Sequence, residues 1–469
     1  MIMHKKYNSI RSHVKTARIL TSGLLTVVVL WLAACHKSED INVSPTKVTG
    51  SHPITSDTLT GSVKGTLQAG KTYYFSTDIT INQGDTLLMQ AGSRLIAIGD
   101  GKTTATSPQI TCNGSFISLG TADNNNFITV LDNLRNTSSI GKGIWGGIQC
   151  GESSGDVVIK WTHIEFAGGP AGPAADPNVF AAGDPRNSLT YTNINGNFIL
   201  EDSWIYGTTD DGMRILHGHV SVMRNTFEAC GLTGGEAFNL KNGCVGDVGY
   251  NLVIGAATNG FKISNSGGGS VQNKTYLYNN TILNCGFRQL KSGRGGSIDY
   301  EKGAQGKIYN NIIVNCRFGL RLTPDADVTN TTYNNQFFYA NAQSLINQFY
   351  TVDGVGAAQN ADILSASPKG NNPRFRSYNV DQFDFSTITP PVALAAMPTA
   401  ILTDSSYDFG LLLSSPAYHK GNATAFTAQR TVPQGGDYGA TTLDPNQDMG
   451  AYPSDGSGNQ HFTSSLSSK

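Results

Sequence analysis

Asn280-Thr281-Ile282-Leu283-Asn284-Cys285 and, 31 residues later, Asn311-Ile312-Ile313-Val314-Asn315-Cys316 repeat one pattern. A polar residue is followed two positions on by an apolar one and five positions on by a small one. Working outward, the polar position recurs at Thr162, Asp202, Asn225, Asn251, Asn280, Asn311 and Asn335. The first gap is 40 residues and the later ones 23, 26, 29, 31 and 24. The apolar column reads Ile164, Trp204, Phe227, Val253, Ile282, Ile313 and Phe337, and the small column Ala167, Gly207, Cys230, Ala256, Cys285, Cys316 and Ala340. Between repeats lie Met213-Arg214-Ile215, Phe238-Asn239-Leu240, Phe261-Lys262-Ile263 and Leu320-Arg321-Leu322, each alternating as a half-buried strand does. Irregular repeats of this length, built of short strands and Gly/Asn turns, predict an all-β parallel solenoid whose coils stack at ~4.8 Å. The handedness preference of parallel crossovers makes it right-handed. Like residues then pile on like, Asn side chains ladder, and Cys230, Cys285 and Cys316 act as compact core fillers. A Cys285–Cys316 disulfide is the less favoured arrangement, because stacked Cβ atoms at ~4.8 Å stand a little too far apart.

Composition agrees. Of 469 residues only 14% are charged and 54 are Gly, a poor mixture for helices and a good one for strands and turns. The N-terminus reads separately. Lys5, Lys6, Arg11, Lys15 and Arg18 precede a largely apolar stretch at 19–32, short of the ~20 apolar residues that span a bilayer. The stretch ends Leu32-Ala33-Ala34-Cys35, which resembles a bacterial lipobox, and His36-Lys37-Ser38-Glu39-Asp40 resembles the export signal of Bacteroidota surface lipoproteins. The resemblance implies cleavage before Cys35, acylation of Cys35, and an outer-membrane lipoprotein exposed at the cell surface. The expected layout is a signal peptide at 1–34, a lipidated tether at 35–57 and a β-helix at 58–345. A closing cap at 346–455 and a disordered tail at 456–469 follow. Without the five basic leader residues, 28 basic residues face 34 acidic ones, a net −6 that argues against nucleic acid as a partner.

Leu67-Gln68-Ala69-Gly70-Lys71-Thr72-Tyr73, Gly84-Asp85-Thr86-Leu87, Ala91-Gly92-Ser93 and Ile144-Trp145-Gly146-Gly147-Ile148 resemble the opening coils of secreted right-handed β-helix proteins. Asn372-Pro373-Arg374-Phe375, Asp408-Phe409-Gly410-Leu411, Ser415-Pro416-Ala417 and Asp448-Met449-Gly450-Ala451-Tyr452 resemble the closing segment of pectin-lyase-like proteins. The connection at 376–407 is longer than usual there. The resemblance implies the fold and leaves the chemistry open, since lyases, hydrolases, epimerases and adhesins share it.

The middle residues of the alternating triplets, Arg214, Asn239, Lys262 and Arg321, with Arg288 nearby, are expected to align as a largely basic outward stripe. Such a stripe suits an anionic polysaccharide, or is a solvated face whose cations pair with Asp211, Glu236 and neighbours. Asp210-Asp211 resembles the paired acids of polygalacturonase-type hydrolases, and is also a common turn sequence. A lyase would need a base and cations of the kind Lys262, Arg288, Lys291 and Arg294 supply. The candidate catalytic residues are therefore Asp210, Asp211, Lys262 and Arg288. The expected ligand-binding residues are Arg214, Asn239, Lys262, Arg288 and Arg321. Trp145, Trp161, Tyr191 and Tyr206 are candidates to stack on sugars, whereas Trp204 belongs in the core. No cofactor or metal is expected: His217 and His219 lack further ligands, and Asp123, Asp325 and Asp327 are too scattered for calcium. Residues 168–190 read as a loop inserted at one edge. The expected protein is a monomer tethered to a membrane by lipid, binding a polysaccharide or serving as a surface module. The alternative is a uronate-directed lyase or glycoside hydrolase.

Overall fold

The computed structural model describes residues 52–267, 269–396 and 406–462. The leader, Cys35 and the tail beyond 462 lie outside these. The described residues belong to one compact unit, and none of their helices is long and apolar enough to cross a membrane.

The unit is a single parallel β-helix. Three strands per coil build three parallel sheets of 10, 10 and 11 strands. The first sheet contains Ile110–Cys112, Ile148–Cys150, Leu189–Tyr191, Met213–Ile215, Phe238–Leu240, Asn259–Ser264, Gly296–Glu301 and Leu320–Leu322 among its members. The second runs from Gly65–Leu67 to Thr332–Asn334, and the third from Thr72–Phe75 to Ile363–Leu364. One α-helical turn, Gln343–Ile346, is a minor addition.

In the middle coils a pair of left-handed residues brackets the third-sheet strand and makes the coil turn where it does. Tyr250, Asn279 and Asn310 take φ near +60° (60°, 52° and 59°) just before the third-sheet strand, and Gly255, Asn284 and Asn315 (64°, 59° and 49°) just after it. Gly and Asn bear that conformation at least cost. Between them sits the ladder. Asn251 Oδ1 accepts from the Asn225 backbone N–H at 3.0 Å, Asn280 Oδ1 from that of Asn251 at 2.9 Å, and Asn311 Oδ1 from that of Asn280 at 3.0 Å. Each amide nitrogen also donates to the next amide oxygen at 3.0 Å. The file satisfies polar groups that the turn buries.

The ladder corrects two register positions. Its members in the flanking coils are Ser203, which donates its backbone N–H to Asn225 Oδ1, and Gln336, which accepts from Asn311. Asp202 and Asn335 are instead the left-handed residues that precede them. The interior column therefore reads Ile164, Ile205, Phe227, Val253, Ile282, Ile313 and Phe338. Trp204 points outward, contrary to expectation, and stacks between His163 (4.2 Å) and His461 (3.3 Å). Cys112, Cys150, Cys230, Cys244, Cys285 and Cys316 are buried free thiols.

The closing segment does more than cap an end. Residues 426–444 lie on the outer face of the second sheet, where Val432 and Ala440 pack on Leu88, Ile117, Val158 and Ile199. Phe375, Tyr378, Phe409, Met449 and Ala451 cover Leu252, Ile254, Leu283, Val314, Phe337 and Tyr339 on the third. Each aliphatic or aromatic side chain so buried contributes ~1.5–3 kcal/mol before entropy is charged. The segment expected as tail is ordered through 462: Asn459 Nδ2 donates to the Asn225 carbonyl at 3.0 Å, and His461 is 1% exposed.

Candidate functional site

The outer face of the first sheet carries polar side chains where the closing segment gives the other two sheets apolar cover. Thr111, Gln149, Thr190, Arg214, Asn239, Lys262, Asp299 and Arg321 are successive register partners along it. In every coil the flanking residues, such as Met213 and Ile215 or Phe261 and Ile263, are fully buried. Alternation in a short strand thus fixes which residue faces out.

Arg214, Asn239, Lys262 and Arg321 are brought onto one file as expected, with Asp210 and Asp211 at its edge. The file is mixed, not largely basic. Asp299 stands between Lys262 and Arg321. Lys262 Nζ lies 3.8 Å from Glu236 and 3.4 Å from Glu301, and Arg321 lies 3.4 Å from Asp299 and 2.7 Å from Asp353. Arg214 alone of these cations makes no ion pair or hydrogen bond with described residues, and its Nε is buried without a partner.

Arg288 is not part of the stripe. It is fully buried beneath a neighbouring turn, where its guanidinium donates to the carbonyls of Leu232 (3.2 Å), Gly255 (2.8 Å), Cys230 (3.1 Å) and Gly231 (2.7 Å). A planar five-donor group is suited to gathering carbonyls from two neighbouring turns, and this role excludes contact with a surface ligand. Among the sugar-stacking candidates, Trp145 and Tyr191 belong to the core and Tyr206 is buried; Trp161 is half-buried.

The acids of this face differ in state. Asp211 accepts the Glu236 backbone N–H at 2.8 Å and the Asn239 amide at 2.7 Å. Burial works against its charge, but these bonds and the Arg214 charge hold its carboxyl below the usual range. Asp210, next to it, is pushed up to about 7, first by burial and then by the Asp211 charge. Burial and Asp211 push Glu236 well up, and burial and Glu301 push Asp299 up to about 6. Lys241 is drawn down to about 8 by burial and by the charges of Lys262 and Arg214.

Sequence reasoning missed Asp299, Glu301 and Lys241. The triplet Ile298-Asp299-Tyr300 carries the same alternation as its neighbours, and Lys241 and Glu301 follow two positions after a middle residue. That spacing was the available signal. Several polar atoms of the face are buried without a hydrogen-bond partner among the described residues: Gln149 Oε1, Arg214 Nε, Asn239 Oδ1 and Asp299 Oδ1. No family model matches the chain, and no curated protein or solved structure matches it significantly.

Proposed function

We propose that this chain is a lipid-anchored, pectin-lyase-like β-helix of the cell envelope, displayed at the surface, whose first-sheet face binds an extended polysaccharide. The observation that carries the reading is the file of unpartnered polar atoms running coil to coil, because buried donors and acceptors left unpaired cost ~1–3 kcal/mol each. Sugar hydroxyls both donate and accept, and a linear glycan repeats them along its length. Arg214, which feels the Asp211 charge but makes no direct ion pair with described residues, would seat a uronate carboxylate in bidentate fashion. The acids around Lys262 and Arg321 make the rest of the track suited to neutral units.

Retention of polygalacturonate, alginate, chondroitin and neutral glucans by the full chain in detergent tests this. Arg214→Ala is expected to weaken uronate binding about tenfold and flatten its salt dependence. Unchanged retention in both Arg214→Ala and Asn239→Ala overturns the reading.

A second reading, glycoside hydrolysis, is favoured by the divergence of the adjacent acids: a protonatable Asp210 beside an ionised Asp211 is the pairing that acid–base cleavage uses. If Asp210 is the acid, release of reducing ends falls as pH rises through about 7 and is abolished in Asp210→Asn. Turnover that survives Asp210→Asn rejects this role.

Anchoring rests on Leu32-Ala33-Ala34-Cys35 and the positive leader before it. Cys35→Ala is expected to lose incorporation of radioactive palmitate completely in a bacterial host; persistent label refutes the anchor.

A further inference from the structure

Residues 168–188 leave the third sheet after Thr162–Glu165 and fold back over the first-sheet face. Arg186 pins the insertion. Its guanidinium donates to the carbonyls of Gly169 (2.9 Å) and Ser107 (2.6 Å), and Gln109 Nε2 donates to the Ala174 carbonyl at 2.9 Å. Ala171, Ala175 and Phe180 close a small apolar cluster inside the loop. The insertion is therefore a fixed roof, and beneath it lies a cavity of about 440 Å3. That volume falls within the ~300–1,000 Å3 of small-ligand pockets.

The cavity floor continues the polar file: Thr111, Gln149 and Thr190 come from three successive coils, and Thr190 is the register partner of Arg214. Asn113 and Thr192 add further amide and hydroxyl groups, and Phe180 adds an aromatic wall. Gln149 is 6% exposed, and its Nε2 is occupied by the carbonyls of Gly146 (2.7 Å) and Asn187 (2.8 Å). Its Oε1 is buried without a partner. The charged lining residues are Glu152 and Asp176; no Lys or Arg lines the cavity.

We propose that this cavity is a pocket for one uncharged sugar unit, closing the polysaccharide track at the end occupied by the insertion. The inference rests on the glycan reading above and deepens it. A roofed pocket takes a chain end or a side branch instead of the middle of a strand. Hydroxyl and amide donors and acceptors beside one aromatic wall match a neutral pyranose. Two acids with no cation repel a carboxylate or sulfate, so the pocket selects against the charge that Arg214 admits further along.

Saturation-transfer NMR and calorimetry on the full chain in detergent test this with glucose, galactose, mannose and N-acetylglucosamine against glucuronate and galacturonate. Neutral sugars are expected to bind and the uronates to bind at least tenfold more weakly. Gln149→Leu removes the acceptor but also the two bonds of Nε2. Val179→Trp is therefore the second variant, filling the cavity from the roof while leaving the floor intact. Both are expected to lower neutral-sugar affinity tenfold or more, while Lys71→Ala, exposed just before the third-sheet strand Thr72–Phe75 and outside the cavity lining, leaves it within twofold. Neutral-sugar binding that survives Val179→Trp in a protein with parental circular dichroism overturns the pocket. So does an absence of monosaccharide binding when polymers still bind through Arg214 and Asn239. Loss of polymer binding to the parent chain as well would instead sink the glycan reading itself.

Discussion

Glu228→Gln is expected to melt at a higher temperature than the parent at pH 8 and at the same temperature at pH 4. Glu228 ends the strand Thr226–Glu228, is 1% exposed, and has both carboxylate oxygens without a partner among the described residues. Burial, and then the like charge of Glu165, push its carboxyl well above the ordinary range. Folding therefore favours its protonated form. The folded chain binds more protons than the unfolded one at pH values above about 4.5, the ordinary carboxyl value, so stability falls with rising pH until the raised folded value is passed. An amide cannot ionise and does not incur this loss. Relieving an unpaired buried charge is worth about 2 kcal/mol or more. His163 and His461 titrate the other way, since burial lowers both and their protonation below the ordinary value of 6.5 disfavours the fold. Those contributions are common to parent and variant and cancel in the difference. Urea denaturation at pH 4, 6 and 8 checks the result; a variant equal to the parent at pH 8 shows that the Glu228 carboxylate is not penalised.

Arg288→Ala is expected to cost about 3–5 kcal/mol of stability, the range for removing one partner of a buried charged network. Four carbonyls from two separate stretches, 230–232 and Gly255, lose their donor at once, and the surrounding coils leave little room for water. Charge-assisted hydrogen bonds are worth ~1.5–3 kcal/mol each, so even partial rearrangement leaves a large deficit. A midpoint within ~1 kcal/mol of the parent would show that the clamp is dispensable. The substitution also warns against misreading a binding assay: polysaccharide lost by Arg288→Ala reports an unfolded coil, whereas Arg214→Ala reports the face itself.

The repeat was readable where one residue could serve only one role. Asn225, Asn251, Asn280 and Asn311 were each recognisable as ladder members because an apolar residue and a small residue followed at fixed distances. At Asp202 and Asn335 the reading slipped by one. Asp and Asn also suit the left-handed position next door, and Ser203 and Gln336 are less obvious ladder members. The slip placed Trp204 inside, although its indole lies flat against His163 and His461. Outward residues of the first sheet were legible from alternation, but their electrostatic sign was not. Pairing of the cations with Glu236 was one of the two expected arrangements, but Asp299 and Glu301, which make the file mixed, were not read at all. Arg288 could not be separated from Arg214 by residue type. Its burial depends on a turn that brings the Leu232 and Gly255 carbonyls together from remote points of the chain. The path of 426–462 along two sheets was likewise invisible, since no local periodicity records a long-range apolar cover.

That path changes how the molecule is assembled and taken apart. In an open solenoid each coil rests on its neighbours, and terminal coils fray one at a time. Here a stretch synthesised after all the coils, from Phe426 to His461, clasps coils completed long before it: Gln429 reaches Asp247, the Leu443 carbonyl accepts from Tyr278, and His461 meets Thr226. Until Phe375, Tyr378, Phe409, Met449 and Ala451 have all emerged, Leu252, Leu283, Val314 and Phe337 present an apolar wall to water, the kind of surface on which nascent chains aggregate. Once they have closed, the middle coils open only together with the clasp, so hydrogen exchange across them should report a single large cooperative block.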